Sequence, residues 1–514
     1  MSKSRFYLLF LFLFFGILPL SAQDSLLFRS ITTPDTVCSV EKALLLIENQ
    51  TGLSFSYNSG LINMKRIISL KAGQERLTDL LKRILNNPTL DYSIIGRHLV
   101  IYQQLKVSAA IPESITDSVF YFEIRGRVLD KTDKQPLPYT SIYLNGKSIG
   151  TVSNEEGSFL LKLSSDYIRD TLNISCIGYK NISAPVSSLI NTNKDYLLRT
   201  DVVSIQEVVI RKLSPVLLLQ SATNKITTNY PRKPAVLTSF YRETVKKGNR
   251  YMMVSEAILE NYKSGYHASS VADQVKILKG RKSEDVTNRD SVILKLKAGL
   301  NTMLLLDVVK NLPDFLTGEN PAEYDYQLTD IVIDNGQDNY AIEFKPEPLS
   351  LTTYYSGRII LGIKDLAYKW VEFYVDPEHL GMATDLFVLK KPAYLKVKVL
   401  KANYKIAFRK TGSKYYLHMI QCETEFRIRN KNQLSGSVYN TTLEMAVTDI
   451  DTINASRFPF KETARLNEFF TEQIGSYDES FWGEYNFVTP GESLEDALIK
   501  ISRMQAVKKE EGEE

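Results

Sequence analysis

"SIYLNGKSIGTVSNEEGSFLL", residues 141–161, carries Gly-x-Ser-x-Gly at Gly146, Ser148 and Gly150. Two folds compete for this stretch. A serine-hydrolase nucleophile elbow has a strand before the serine and a helix after it, so that the hydroxyl sits at a helix N-terminus. "SIYL" suits the strand, but the residues after Ser148 make an alternating apolar pattern broken by Asn, Glu and Gly, which describes strand, turn and strand. Gly146 and Gly150 fit a hairpin bend. A phosphate-binding loop fails too, because residue 141, five positions before Gly146, is serine where that motif needs glycine. Ser148 is therefore a turn residue, and the region around it is antiparallel β.

The neighbouring sequence agrees. "FEIRGRVLD" (122–130) alternates; Phe159, Leu161 and Leu163 share one strand face, as do Leu172, Ile174 and Cys176. Short strands with frequent turns and no helical stripe form a β-sandwich. The pieces "GRVLD", "PLPYTSIYLNG", "GTVSNEEGSFLL" and "ISCIGYK" together resemble a carboxypeptidase-regulatory-like domain over residues 122–200. The resemblance implies an Ig-like or prealbumin-like sandwich, with Cys176 as a core residue. It implies no zinc chemistry. Zinc carboxypeptidases hold metal in a separate domain through a His-x-x-Glu pair, and none of His98, His267, His379 and His418 has that neighbour. The expectation is no metal, no cofactor and no catalytic residue.

N-terminal to the sandwich, "SVEKALLLIENQT" (39–51) puts Val40, Ala43, Leu44 and Ile47 on one helical face, with Ser39 as the starting cap and Gly52 as the stop. Strands "LSFSYN" and "RIISLKA" come next. A second helix carries Leu77, Leu80, Leu81, Ile84 and Leu85, and "DYSII" and "HLVIYQ" close the region. Helix, two strands, helix, two strands suits a small α+β layer fold. "SVEKALLLIENQTGLSFSYN", "ISLKAGQERLTDLLKRIL" and "YSIIGRHLVIY" are similar to the secretin and TonB short N-terminal domain, over residues 34–104. Domains of that family make protein contacts in the periplasm, in some receptors with a sigma-factor regulator. "RIISLKA" and "HLVIYQ" are the candidate edge strands for such a partner.

Ahead of this module, Lys3 and Arg5 precede "FYLLFLFLFFGILPL" and the small pair Ser21-Ala22, which reads as a secretory signal peptide over residues 1–23. The first cysteine is Cys38, so a lipid-modified N-terminus is not expected; with Cys176 and Cys422 it forms no disulfide framework. Losing Lys3 and Arg5 lowers the net charge from +4 to +2. That small, dispersed charge excludes a nucleic-acid partner.

Residues 213–505 alternate in long segments, among them "LTSFYRETV", "YMMVSEAILENY", "YAIEFKPE", "AYKWVEFYV" and "KYYLHMIQCETEFRIRN". Helical stretches are "SPVLLLQSATNKITTNY", "NTMLLLDVVKNL" and "LEDALIKISRM". A large curved antiparallel sheet with a few helices is expected. "YYSGRIILGIKDLAYKWVEFYVD" is similar to hairpins in the half-barrels of periplasmic lipoprotein carriers. Within the strands, Arg242 and Glu243 point to opposite faces, and whichever faces inward is expected to pair.

The fold class is thus multidomain and mainly β. Its parts are the module at 34–104, a linker at 105–120, the sandwich, a connecting strand or linker at 201–212, the large sheet, and a charged tail at 506–514. That order is similar to the front of TonB-dependent outer-membrane receptors, and "SIQEVVIRK" (204–212) looks like their TonB-contact segment. A plug and a twenty-two-stranded barrel need roughly 600 residues at about ten per strand with loops, far more than remain. The expected function is therefore a non-catalytic periplasmic or outer-membrane-associated protein of a Gram-negative bacterium. It docks to another envelope protein, such as a sigma-factor regulator or TonB-system component. The alternative is a carrier holding an apolar ligand or lipid against the large sheet, with Trp370, Phe373 and Phe344 as lining candidates; behind it stand a TonB-dependent receptor-like component and an enzyme with an unrecognised site in the large sheet.

Overall fold

The computed structural model describes residues 30–57, 62, 64–87, 90–95, 98–103, 120–190, 192–204, 213–267, 271–284, 295–296, 299–348, 355–382, 387–390, 393–433, 435–476 and 481–498. The signal peptide, the linker up to residue 119, residues 205–212 of the TonB-contact candidate and the charged tail lie outside them. The chain divides into two compact units, Met1–Asp117 and Ser118–Glu514.

In the first unit both expected helices form. Ser39 caps Val40–Thr51, its hydroxyl accepting from the Lys42 amide at 3.3 Å, and Gly52 ends it in the left-handed region at φ 71°. Val40, Ala43, Leu44 and Ile47 are buried against Leu77, Leu80, Leu81 and Ile84 of the helix Leu77–Leu85. The strands number more than expected. Ser30–Thr33 pairs with Gly73–Arg76, and Thr36–Ser39 with Ile67–Leu70. One of the two candidate edges is corrected. His98–Gln103 is the central strand of a three-stranded sheet, parallel to Ser54–Tyr57 and antiparallel to Leu90–Ile95, so both its sides are taken. Among the described residues Ile67–Leu70 has a partner on one side alone.

The second unit opens with the sandwich. One sheet has the order Ser158–Ser164, Tyr121–Asp130, Asn193–Leu198, and the other Gly150–Val152, Ser141–Leu144, Thr171–Ser175, Ile182–Pro185. Apolar residues from alternate positions, including Ile124, Ile142, Phe159, Leu161 and Ile174, meet between them. Cys176 packs at the margin of that core, where burial pushes its thiol up to about 11.

A twelve-stranded sheet dominates the rest of the unit. Its order is Val202–Ser204, Tyr324–Asp334, Gln337–Pro346, Tyr355–Gly362, Tyr368–Val375, Leu395–Thr411, Lys414–Asn430, Ser437–Asp451, Ala235–Lys247, Arg250–Lys263, Gln274–Glu284, Gly475–Ser476. The long strands are antiparallel hairpin neighbours, and Asn335-Gly336 makes one tight reversal with φ of 51° and 67°. The strand Ala235–Lys247 docks beside Ser437–Asp451, which comes about two hundred residues later, and so joins two meanders into one curved sheet.

The helices Pro215–Asn224 and Leu300–Leu305 and the short turns Ile226–Asn229 and Asp314–Thr317 cover one face of this sheet. Leu219, Ala222, Met303, Phe315 and Leu316 pack there on Leu237, Leu259, Ile342, Val371 and Ile420. Leu300–Leu305 is shorter than its sequence stripe. Just beyond it Asp307 is buried at 2.7 Å from the Lys263 ammonium, which fixes the turn.

The sandwich and the C-terminal segment cover the opposite face. Val152 meets Phe240, Ile258, Ala407, Met419 and Ala446, and Trp482 and Val488 complete the cluster. Asn486 bonds back to the backbone of Lys162 through its amide and carbonyl, at 3.1 and 2.6 Å. The sandwich and the large sheet, expected as separate domains joined at 201–212, therefore share one compact unit. Apolar burial between them, invisible to local periodicity, is the reason.

Candidate functional site

Alternation along Ala235–Lys247 sends Tyr241 and Glu243 to the helix-covered face and Phe240 and Arg242 to the other. Glu243 lines a cavity of about 570 Å³ beside the helix Leu300–Leu305. Val245, Met253, Leu305, Phe387, Phe426 and Leu443 supply apolar wall. No lysine, arginine or histidine is among the described residues that line it, and exposed Glu468 is held by Arg465 at 2.8 Å. Glu243 accepts a short hydrogen bond from the Tyr241 hydroxyl. Burial pushes its carboxyl up to about 7, and the Tyr241 bond pulls the other way. Near neutrality this is an acid that exchanges a proton inside an apolar chamber. Cys422 also lines the chamber, and burial with Glu423 nearby pushes its thiol up to about 12, so it stays protonated.

On the opposite face Arg242 belongs to a buried charge ladder. It lies across from Glu256 on one side and Glu444 on the other, at 2.8 and 3.1 Å, and Arg281 reaches Glu256 at 2.7 Å. Burial alone would lower the Arg242 guanidinium, but Glu256 and Glu444 hold it above its ordinary value. The expected inward pairing is present, with Arg242 as the partnered residue. Glu243, on the other face, meets a phenol instead of a cation.

Ser148 lies between Ser141–Leu144 and Gly150–Val152, a hairpin with a strand on each side of the serine. Its hydroxyl donates to Asp449 of the large sheet. A different serine meets a histidine: Ser141 Oγ lies 2.9 Å from His418 Nε2. His418 is buried, and burial followed by the Arg409 charge holds its pKa well below the ordinary value. Its Nδ1 has no partner among the described residues, so the orienting carboxylate of a Ser–His–Asp relay is not in place there. Among the described residues, no three His, Cys, Asp or Glu side chains gather to hold a metal ion.

Of the lining candidates read from sequence, Phe344 and Phe373 do face the helices, but Phe315 fills the space between them, stacked 4.6 Å from Phe344 and tilted 5.0 Å from Phe373. Trp370 is corrected: it is on the other face, toward the sandwich, because it stands an odd number of positions from Phe373. The cavity lies elsewhere along the same helix-covered face. Charge within an alternating strand singles out Glu243 in the sequence, yet nothing local there marks the chamber around it.

Residues 124–210 match the CarboxypepD_reg-like domain family, and the sandwich is a domain of that class. No curated protein matches the chain. Among solved structures, a DUF1329 family protein from Desulfovibrio piger is 11% identical, with 48% of this chain and 96% of that one covered and a TM-score of 0.22. A LolA superfamily protein from Nitrosomonas europaea is 12% identical, covering 49% and 99%, with a TM-score of 0.19. Lipovitellin is 8% identical over 45% of this chain and 26% of its own, at a TM-score of 0.21. Scores this low establish no shared fold.

Proposed function

We propose that the chain is a non-catalytic binding protein whose large sheet holds one apolar chain in the cavity beside Leu300–Leu305. The carrying observation is that cavity: about 570 Å³, walled mainly by apolar side chains, with the half-buried Glu243 as its acid. The volume falls within the roughly 300–1,000 Å³ of small-molecule sites. An acidic chamber whose described lining holds no cation disfavours a carboxylate or phosphate head group, so the ligand is a neutral or cationic amphiphile. Organic extraction of protein purified from a Gram-negative host, followed by mass spectrometry, tests this. Bound neutral or cationic lipid at near-stoichiometric yield supports the reading. Preparations free of lipid that also fail to take up added long-chain alcohol or amine contradict it.

A second role rests on the first unit. Val37 and Ile67 are 69% and 65% exposed, and they project from the same face of the ribbon formed by Thr36–Ser39 and Ile67–Leu70. In this reading residues 24–110 dock to another envelope protein of an exporting Gram-negative cell, through the side of Ile67–Leu70 that no described strand pairs. Crosslinking in cells compares the unmodified chain with Val37→Asp/Ile67→Asp. Loss of specific partners with the helices intact supports docking, and an unchanged partner set contradicts it.

A further inference from the structure

Between the sandwich and the face of the sheet that it covers lies a second, larger space of about 750 Å³. Tyr139 and Tyr143 line it from the sandwich, and Trp370, Arg409 and His418 from the sheet. Its cations fall into two groups. Arg358, Lys369, Lys405 and Lys410 each have a carboxylate at 3.1 to 4.0 Å, namely Asp330, Asp334, Glu372 and Asp365. Arg409 has none within that range among the described residues. It stacks on the Tyr143 ring at 4.7 Å and donates from Nη2 to the Ser148 carbonyl at 2.6 Å. Gly150 admits it: a Cβ there would stand 2.8 Å from Arg409 Nη1.

An unpaired charge withdrawn from water is costly, and desolvation pulls the half-buried Arg409 guanidinium down to about 10 against the opposing effects of Tyr143 and Asp449. The residues lining this space also hold three buried nitrogens without a partner among the described residues: Arg358 Nε, Arg409 Nη1 and His418 Nδ1. Buried polar groups are nearly always satisfied, and here the two guanidinium nitrogens call for acceptor atoms, while His418 Nδ1 takes a donor or an acceptor according to its tautomer. Ser141 Oγ already occupies His418 Nε2.

We propose that this interdomain cleft binds a small organic molecule bearing one carboxylate or phosphate group, with Arg409 as its countercharge. The aromatic side chains around the space suit an organic body, and the volume far exceeds that of a bare ion. The site is independent of the apolar cavity, which opens on the other face of the sheet. It needs both domains, which gives the regulatory-like sandwich a function as one wall of a binding site.

Isothermal titration of the full chain with benzoate, phenyl phosphate, inorganic phosphate and benzyl alcohol is the test. Binding of benzoate or phenyl phosphate is expected, whichever carries the preferred anion, with at least tenfold weaker binding of neutral benzyl alcohol and of bare phosphate. Arg409→Gln should weaken the aromatic anion tenfold or more, and Lys396→Gln, at an exposed position of the same strand outside the cavity, less than threefold. Because Arg409→Gln risks misfolding, ¹⁵N-histidine spectra of the unmodified chain give a second readout, in which the His418 ring signals shift with the aromatic anion and not with benzyl alcohol. Equal loss in both variants, equal binding of inorganic phosphate, no binding of either aromatic anion, or an unmoved His418 would overturn the proposal.

Discussion

Arg242 and Glu243 are consecutive residues of one strand and serve opposite faces of the sheet. Arg242 is locked between Glu256 and Glu444 beneath Val488, whose carbonyl accepts from its Nη2 at 2.8 Å. Glu243 looks into the apolar chamber with Tyr241 as its hydrogen-bond donor. One side of the strand is a cross-linked wall, and the other is the floor of a binding site.

Breaking the wall from one side leaves Glu444 without its guanidinium and Glu256 with Arg281 alone. Arg242→Met is expected to cost about 3–5 kcal/mol, the range for removing one partner of a buried ion pair. Urea unfolding of the variant against the unmodified chain measures it. A loss under about 1 kcal/mol would show that the ladder is solvated and contributes little.

The Glu243 carboxyl has a folded pKa of about 7, raised above the ordinary value of 4.5. Between those values the folded state keeps a proton that the unfolded state has released, so stability declines as pH rises through the window and levels off above it. The Glu243 side chain is half-buried, which reduces the effect to about 1–3 kcal/mol. Thermal melts at pH 5 and pH 8 should show that decline in the unmodified chain and a shallower one in Glu243→Gln. Identical slopes would place the titrating group elsewhere.

Ser148→Ala should change stability by about 1 kcal/mol or less, since it removes one exposed hydrogen bond, to Asp449. A fluorophosphonate probe should react equally with both proteins. Labelling that depends on Ser148 would contradict the hairpin reading.

Trp482 stacks on Phe487 at 4.9 Å and covers Phe240 edge-on at 5.5 Å, with the Arg281 guanidinium 4.4 Å from its ring. Trp482→Ala is expected to cost about 3–5 kcal/mol and to loosen the C-terminal strap. Proteolysis should then cut between residues 477 and 498 at a dilution of protease that spares the unmodified chain. Equal resistance would mean that the strap is held by Asn486 and its neighbours alone.

Local rules made much of this architecture legible. The Ser39 and Gly52 caps, both helical stripes of the first unit and the Ser148 hairpin come from side-chain period and turn chemistry, and the structure contains each. What local rules miss is pairing across long separations. His98–Gln103 reads as a possible edge until Ser54–Tyr57 is found beside it. Alternation groups Phe344 and Phe373 by face only after the register is known, and it cannot show that Phe315 fills the space between them. Ser141 meets His418 across 277 residues, with no sequence signal to join them. Arg409 stands out only because, among the described residues, no carboxylate pairs with it as one does with each of its four neighbouring cations.

The most direct test of the binding function is uptake of a fluorescent apolar probe, phenylnaphthylamine, by the unmodified chain and by Leu443→Trp. Leu443 is 4% exposed and lines the cavity, so the indole fills the chamber that the ligand needs. The account predicts saturable uptake by the unmodified chain, displaced by a long-chain amine, and at least tenfold weaker uptake by the variant with its β-sheet circular dichroism retained. Uptake that is equal in the two proteins, or undetectable in the unmodified chain, would contradict it.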